Sequence, residues 1–420
     1  MTDLEDALTR TLARAAGHAP TAPPDLVRRV GARHTRKRRD LILVAASVAV
    51  VAVGSTLTLR HLTPSSERGV PAVEVETISP APTGSAPAST EPRLPPLVGQ
   101  VWPEAVREIP ATLPNGRRFR PVLYLDDHTL LINTESGFEK ADMLSAYDLD
   151  TGKATELARI TTPPRAVIFA SDFTTGHGTL AWWTQRKQGQ GTVVDIWGVP
   201  VTGGTPQKIT SFPGELGGLD HLAIAGGKIA WSLTKGGGVH QAPLSGGEAA
   251  PIPGTRGMHL IQWPWAASPS AFDTPESQET QPIFGHLLNV ETGERREAIV
   301  KPGDRPGICG ITWCIGGRPD QNGSGHYVAH RRDGSAEREI PGSAKAPPAL
   351  DRFIVAPASG RTGLEGVVLY DIVTGRGGDL GIRRGEGGSL SSPRLMSGAQ
   401  SLLSYTIKGE MTVIDLTAIK

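Results

Sequence analysis

Cysteine is scarce in this sequence of 420 residues, which contains only Cys309 and Cys314. Two cysteines exclude a zinc site of four cysteines and a disulfide framework, and they allow at most one local bridge. Aromatic residues make up only 5% of the chain, whereas glycine and proline are abundant at 51 and 35 residues. This composition argues against a helical bundle and favours many short strands joined by turns.

Net charge is also nearly absent, because 43 Lys and Arg stand against 42 Asp and Glu. A protein that binds nucleic acid normally presents a strongly basic face, so the sequence gives no reason to expect a nucleic-acid partner. The charge is unevenly distributed, however. Residues 1–40 hold nine Lys and Arg and five Asp and Glu, a net charge of +4. The N-terminal segment is therefore basic.

Sequence motifs of catalytic and metal-binding sites are missing as well. There is no Gly-x-Ser-x-Gly elbow, no His-Glu-x-x-His motif, no Gly-x-x-x-x-Gly-Lys loop and no calcium-binding loop. Four of the eleven histidines fall in successive parts of the chain and could meet on one rim: His221, His240, His259 and His286. We predict a protein without catalytic residues, metal or cofactor. The alternative is an enzyme that acts on glycans through an unrecognised site.

Residues 41–59, LILVAASVAVVAVGSTLTL, form a long apolar run of nineteen residues. As a helix the run would extend roughly 28 Å, close to the ~30 Å hydrocarbon thickness of a bilayer. Seven Lys and Arg precede it between Arg28 and Arg39, with no acidic residue among them. The positive-inside rule therefore predicts a single-pass protein of the cell membrane, with residues 1–40 cytoplasmic and the remainder extracytoplasmic. A cleaved signal peptide is the alternative, but forty residues before the apolar run are too many for one.

Residues 2–16 are predicted to form a short amphipathic helix. Thr2 and Glu5 have the spacing of a capping box, and leucines recur on one face at Leu4, Leu8 and Leu12. A helix of this length is marginal in water, so a solvated tail is the alternative. A basic tail with such a helix before a membrane span resembles membrane-anchored anti-sigma factors. The resemblance implies a transmembrane signal transducer that holds a cytoplasmic regulator on residues 2–16.

Residues 60–97 are rich in Pro, Ser and Thr and show no apolar periodicity. A segment of this composition cannot bury enough apolar surface to offset the entropy of an ordered chain. We therefore predict an extracytoplasmic, disordered linker between the membrane span and a domain that covers residues 98–420.

The domain at residues 98–420 contains an internal repeat of two apolar strands, a Thr-Gly or Gly-Gly turn and a polar strand. The turn glycines are Gly152, Gly204, Gly247, Gly293, Gly334 and Gly375, separated by 52, 43, 46, 41 and 41 residues. A period of about 40–50 residues with several strands per unit is typical of a β-propeller. The hairpins predict an all-β fold with seven blades, and six or eight blades are the alternatives.

The last repeat is incomplete, because the sequence after Met411 supplies no outer strand. The segment Ala105–Pro110, AVREIP, precedes the first full repeat and has the pattern of an outer strand. We predict that it pairs with Met411–Leu416 and closes the ring, which would remove two open sheet edges.

Two segments carry a resemblance to known proteins. Gly178–Thr210 reads GTLAWWTQRKQGQGTVVDIWGVPVTGGTPQKIT, and Gly226–Leu233 reads GGKIAWSL. Both resemble the repeats of TolB-like and WD40-like propellers of bacterial envelopes. The resemblance implies a protein-binding scaffold in the cell envelope. Our leading hypothesis is that the face of this propeller contacts an envelope protein, a peptide or a cell-wall polymer.

Cys309 and Cys314 lie close together in ICGITWC, in the part of the chain predicted to be outside the reducing cytoplasm. Disulfides persist in such compartments, so we predict a structural bridge, with a free buried pair as the alternative.

The tryptophans divide into two predicted groups. We assign Trp182 or Trp183, Trp231 and Trp313 to the core between blades. Trp263 and Trp265 are candidate ligand-binding residues on the rim, because WPW interrupts a strand and aromatic anchors dominate recognition.

Overall fold

The computed structural model describes residues 94–214, 218–271, 281–320, 325–344, 346–358, 366–384, 392–393, 395 and 400–420. The predicted cytoplasmic tail, the predicted membrane span and residues 60–93 of the predicted linker lie outside the described residues. Within the ranges just given, no helix is long and apolar enough to cross a membrane.

Seven antiparallel sheets make up the described domain, which confirms the predicted seven-bladed β-propeller. A short helix α1 (Val98–Val101), a 3-10 turn (Pro103–Ala105) and the strand β1 (Val106–Pro110) precede the first full sheet. Blade 1 contains β2 to β5, at Phe119–Asp126, Thr129–Gly137, Lys140–Asp148 and Ala154–Arg159. Blade 2 contains β6 to β9, at Ala166–Gly176, Thr179–Gln188, Gly191–Pro200 and Gln207–Pro213.

The next three blades also have four strands each. Blade 3 contains β10 to β13, at Leu219–Ala225, Lys228–Leu233, Val239–Pro243 and Ala250–Pro251. Blade 4 contains β14 to β17, at His259–Gln262, Trp265–Ser268, His286–Asn289 and Arg295–Glu297. Blade 5 contains β18 to β21, at Arg305–Cys309, Trp313–Pro319, Gly325–Arg331 and Arg338–Ile340.

The last two blades show three strands each in the described ranges. Blade 6 contains β22 to β24, at Phe353–Ala358, Gly366–Asp371 and Gly377–Asp379. Blade 7 contains β25 (Leu402–Ile407), β26 (Glu410–Asp415) and β1, with a 3-10 turn at Leu416–Ala418 after β26. Seven separate sheets exclude the alternatives of six and eight blades.

The second strand of a blade is covered on both faces, and β7 shows how. Leu180 and Trp182 pack with blade 1 in one hydrophobic cluster, whereas Ala181 and Trp183 pack with blade 3 in another. Successive side chains of a strand point to opposite faces, so a strand between two blades needs apolar residues at consecutive positions. This explains the continuous apolar runs in the sequence.

The outer hairpins form where the sequence places Thr-Gly turns. Gly152, Gly293 and Gly375 adopt φ angles of 68°, 76° and 77°, which glycine reaches without steric cost. In the hairpin of blade 1, Oδ1 of Asp148 accepts hydrogen bonds from the backbone of Asp150 at 3.0 Å and of Thr151 at 2.7 Å. The side chain before the turn therefore fixes the same bend that the glycine permits.

Ring closure follows the predicted pairing. Strand β1 pairs antiparallel with β26, with Val106 opposite Ile414 and Ile109 opposite Met411. The chain just before β1 is also attached, because the backbone N–H of Asp379 in blade 6 donates to the carbonyl of Pro96 at 2.9 Å. The N-terminal end of the described chain is thus joined to both of the last two blades.

The predicted disulfide joins Cys309 and Cys314, and the alternative of a free pair is wrong. The two residues are cross-strand partners in β18 and β19, next to the hairpin that connects these strands. Both are buried, at 0% and 3% exposure. The bridge therefore cross-links the two strands of the first hairpin of blade 5, in the interior of the domain.

Candidate functional site

The first strands of neighbouring blades contact one another around the centre of the propeller, and three of them carry ionisable residues that are buried or half-buried. Asp172 lies in β6, Asp220 and His221 in β10, and His259 in β14. Ser232 of β11 joins them through a hydrogen bond. We call these five residues the channel cluster. It spans blades 2, 3 and 4.

Asp220 holds the cluster together across two blades. Its Oδ1 accepts a hydrogen bond from the hydroxyl of Ser232, and its Oδ2 accepts one from Nδ1 of His259. The Ser232 oxygen in turn accepts from the backbone N–H of Leu260 at 2.9 Å. The carboxylate thereby fixes the imidazole of His259 with its proton on Nδ1, because a carboxylate can only accept.

The other ring nitrogen of His259 is left without a partner. The side chain of His259 is 1% exposed, and its Nε2 is buried and unpaired among the described residues. This Nε2 can form one hydrogen bond with a polar group of a ligand. A buried polar atom without a partner is uncommon and costly, so its position requires an explanation.

Asp172 presents the second unpaired atom. It adopts a left-handed φ of 51° within an irregular stretch of β6 between Ser171 and Thr174. The backbone N–H of Leu222 donates to its carboxyl group, whereas Oδ2 is buried and has no partner within the described ranges. Burial raises the pKa of Asp172 to about 6, the nearby His221 opposes this rise in pKa, and Asp220 adds to it. The residue is strained, desolvated and in contact with blade 3.

The arrangement is suited to hydrogen bonding, not to the familiar triad of nucleophilic catalysis. The hydroxyl of Ser232 donates to Asp220, and not to an imidazole that could take its proton. In the described part of the chain, no group of His, Cys, Asp and Glu has the geometry to hold a metal ion. The cluster can offer a ligand one carboxyl group and one imidazole nitrogen from neighbouring blades.

The four histidines predicted to meet on one rim do not all do so. His221 and His259 lie in first strands and join the channel cluster. His240 lies in the third strand of blade 3, where its ring stacks on Trp231 with centroids 6.0 Å apart. His286 lies in the third strand of blade 4, half-exposed, and bonds to Glu297. The correction follows from strand position, because third strands are further from the centre.

The rim candidates Trp263 and Trp265 lie at the opposite end of β14 from His259. Nε1 of Trp263 donates to Oε1 of Glu291 at 3.0 Å, and the guanidinium of Arg296 lies 4.4 Å from the ring centre of Trp265. Both side chains are half-buried. They do not join the channel cluster, and their role in ligand binding stays a prediction.

The tryptophans assigned to the core are buried. Trp182, Trp183, Trp231 and Trp313 are 2%, 4%, 0% and 8% exposed. This confirms their assignment to the packing between blades.

Sequence reasoning missed Asp172, Asp220 and Ser232. Each is a polar residue in a mostly apolar strand, and such residues occur in many strands without function. The available signal was positional: Asp172 and Asp220 both stand in the first strand of their repeat, a few residues before the first hairpin.

Replacing Asp172 with asparagine is expected to change how stability depends on pH. Since the pKa of about 6 lies above the ordinary value of 3.8, the unfolded chain loses this proton first as pH rises. The contribution of Asp172 to the stability of the native protein therefore falls between about pH 4 and pH 6, by roughly 2–3 kcal/mol, and the asparagine variant lacks this decline. Urea unfolding across pH 4–7 measures it. Asp127→Asn, at an exposed hairpin position, is the matched control, and an unchanged decline in Asp172→Asn would contradict the assignment.

Comparisons with known proteins find similarity in shape and not in sequence. No family model matches the sequence. None of the curated proteins matches it either. The similar solved structures include an uncharacterised protein of Listeria monocytogenes, at 9% identity and a TM-score of 0.43, covering 75% of this chain and 96% of that one.

Two further solved structures are similar to this chain. A TolB protein of Agrobacterium tumefaciens matches at 16% identity and a TM-score of 0.26, over 74% of this chain and 91% of that one. The WD40 propeller domain of Doa1 matches at 10% identity and a TM-score of 0.35, over 74% of this chain and 97% of that one. The solved structures to which this chain is similar thus include TolB and WD40 propellers.

Proposed function

We propose that this chain is a non-enzymatic binding protein, anchored in the cell membrane, whose propeller recognises a partner of the bacterial cell envelope through the channel cluster. The observation that carries the proposal is the pair of buried, unpaired atoms, Asp172 Oδ2 and His259 Nε2. Each would gain a hydrogen-bond partner when its side chain turns toward a ligand in the centre of the propeller. A polar group on an envelope protein, a peptide or a wall polymer supplies such a partner.

Two features support the extracytoplasmic location. Residues 41–59 are long and apolar enough to span a bilayer, and the basic residues before them favour a cytoplasmic N-terminus. The disulfide between Cys309 and Cys314 is the second feature, since such bonds are rare in the reducing cytoplasm.

The location is tested by labelling intact cells that produce the full chain with an added cysteine in place of Ser335, in the β20–β21 hairpin. A membrane-impermeant maleimide should label this thiol without lysis. The matched control carries a cysteine in place of Thr21, in the predicted cytoplasmic tail, and should react only after lysis. Labelling of both thiols only after lysis would overturn the proposed location.

Recognition through the channel cluster is tested by in-cell crosslinking and pull-down of the full chain. An envelope protein or wall polymer should be recovered with the unmodified chain, and recovery should fall in Asp172→Asn and His259→Asn. The control is His286→Asn, because this half-exposed histidine lies outside the cluster. Equal recovery with all variants would contradict a role for the channel.

The same experiment separates the second candidate function, in which residues 2–16 hold a cytoplasmic regulator. Residues 1–62 alone serve as the bait for this arm. A transcription regulator recovered on this bait would replace the scaffold function with signalling. Recovery of the envelope partner by residues 98–420 alone would support the scaffold.

A further inference from the structure

A cavity of about 410 Å³ lies where the connection between β5 and β6 crosses β7, β8 and β9. Its volume falls within the range of roughly 300–1,000 Å³ that is usual for small-molecule sites. Its walls include Pro163, Pro164, Arg165, Arg186, Trp197 and Lys208. Every wall residue belongs to the continuous described range 94–214, and we call this space the blade-2 cavity.

The charge of the blade-2 cavity is strongly positive. Four cationic residues line it, and Asp195 is the one carboxylate among its wall residues. Asp195 is 2% exposed and already engaged, since Nε of Arg186 donates to its Oδ2 at 2.8 Å and Nζ of Lys208 lies 3.6 Å from its Oδ1. The hydroxyl of Ser211 donates to the same Oδ1. Asp195 therefore positions the cations and leaves most of their charge uncompensated.

Two guanidinium groups remain available to a ligand. Arg186 uses Nε for Asp195 and Nη1 for Gln188 at 2.9 Å, and its Nη2 has no partner among the described residues. Arg165 is exposed, and no described carboxylate pairs with it. Its backbone is fixed, because its carbonyl accepts from the N–H of Lys187 at 3.0 Å. Arginine forks of this kind suit carboxylate and phosphate oxygens.

The remaining wall is aromatic and apolar. Trp197 is half-buried, and its Nε1 donates to the hydroxyl of Thr184 at 3.0 Å, which fixes the plane of the indole. The negative face of an aromatic ring attracts the weakly positive C–H groups of a ligand. A sugar ring presents such C–H groups on one face and polar groups at its edge. The cavity thus combines a stacking surface with cations beside it.

We propose that the blade-2 cavity binds an acidic sugar unit of an anionic polysaccharide, with the sugar ring on Trp197 and its carboxylate at Arg165 and Lys208. This names a ligand class for a second site, separate from the channel cluster. The inference rests on the proposed function in one respect only, which is that the ligand comes from the cell envelope. Binding itself is measured with purified protein.

The test is calorimetric titration of the full chain in detergent with trigalacturonate, with cellotriose as the neutral probe. Trigalacturonate should bind, and cellotriose should bind at least about tenfold more weakly. Arg165→Gln and Lys208→Gln should each weaken trigalacturonate binding roughly tenfold, as expected for loss of a charged hydrogen bond. Arg159→Gln is the matched control, because Arg159 is exposed, pairs with Glu156 and lies outside the cavity wall.

Three results would overturn the proposal: no binding of trigalacturonate, equal binding of cellotriose, or the same loss in Arg159→Gln as in the cavity variants. Trp197→Phe tests the stacking surface. This variant should bind trigalacturonate more weakly, whereas its binding of inorganic phosphate should be unchanged. If inorganic phosphate displaces trigalacturonate at equal concentration, the cavity is a site for isolated anions, and the proposal that it binds a sugar unit is refuted. A negative result here with correct surface labelling in cells would refute only this inference.

Discussion

Arg332→Leu is expected to lower the free energy of unfolding by about 4 kcal/mol or more. Arg332 is 5% exposed and donates only to backbone carbonyls. Its Nη1 bonds Gly285 at 2.6 Å and its Nη2 bonds Phe284 at 2.7 Å, both in the blade-4 segment before β16. Its Nε bonds Gly310 at 2.9 Å, in the hairpin of blade 5. One side chain thus satisfies carbonyls of two blades.

The size of the effect follows from what leucine leaves behind. The carbonyls of Phe284 and Gly310 would lose their donors at once, whereas the carbonyl of Gly285 keeps a hydrogen bond from the N–H of Ala298 at 2.9 Å. Each buried unpaired group costs about 1–3 kcal/mol. Burial lowers the pKa of Arg332 to about 10, so the guanidinium is still charged at neutral pH and donates at full strength.

Urea unfolding of Arg332→Leu and of the neighbouring variant Arg331→Leu measures this difference. Arg331 is exposed and lies 5.9 Å from the ring centre of Trp313, so its loss should cost no more than about 1 kcal/mol. Similar losses in the two variants would show that the carbonyl contacts contribute little.

Ile109→Asp is expected to open the ring and to cost about 4 kcal/mol. Ile109 of β1 is 6% exposed and packs in one hydrophobic cluster with Phe119 of blade 1 and Met411 of β26. The substitution removes roughly 2–3 kcal/mol of apolar burial and places a carboxylate in an apolar site. The open edge of β26 should then promote association of chains.

Urea unfolding and sedimentation together measure stability and association of the Ile109 variant. Glu108→Gln is the control, because Glu108 is the exposed neighbour on the same strand. A variant at Ile109 that stays monomeric and as stable as the control would show that β1 is dispensable for closure.

The repeat unit could be predicted because its physical requirements are local. Turn glycines such as Gly152 and Gly375 must adopt positive φ, and strands between two blades must be apolar at consecutive positions, as in Leu180–Trp183. The closing strand could be predicted for the same reason, since an incomplete last repeat requires a partner elsewhere in the chain. The disulfide followed from two cysteines close together in a region predicted to lie outside the cytoplasm.

The channel cluster and Arg332 could not be predicted, because both depend on contacts between distant parts of the chain. Arg331 and Arg332 are identical neighbours in the sequence, and only the path of blade 4 decides which guanidinium meets carbonyl groups. Asp220 and His259 stand 39 residues apart and meet because their strands are first in adjacent blades. Local pattern defines the blades, and their order around the ring defines the site.

The pairing of β1 with β26 also sets an order of events during synthesis. Strand β1 leaves the ribosome before any complete blade, whereas β26 is made after all the other described strands. Until β26 is made, β1 has no strand of its own blade to pair with. Its exposed Arg107 and Glu108 and its terminal Pro110 disfavour pairing with the strands of other blades or chains during this time. A chain that has not yet reached β26 is therefore an open arc, and the ring closes only after β26 has been made.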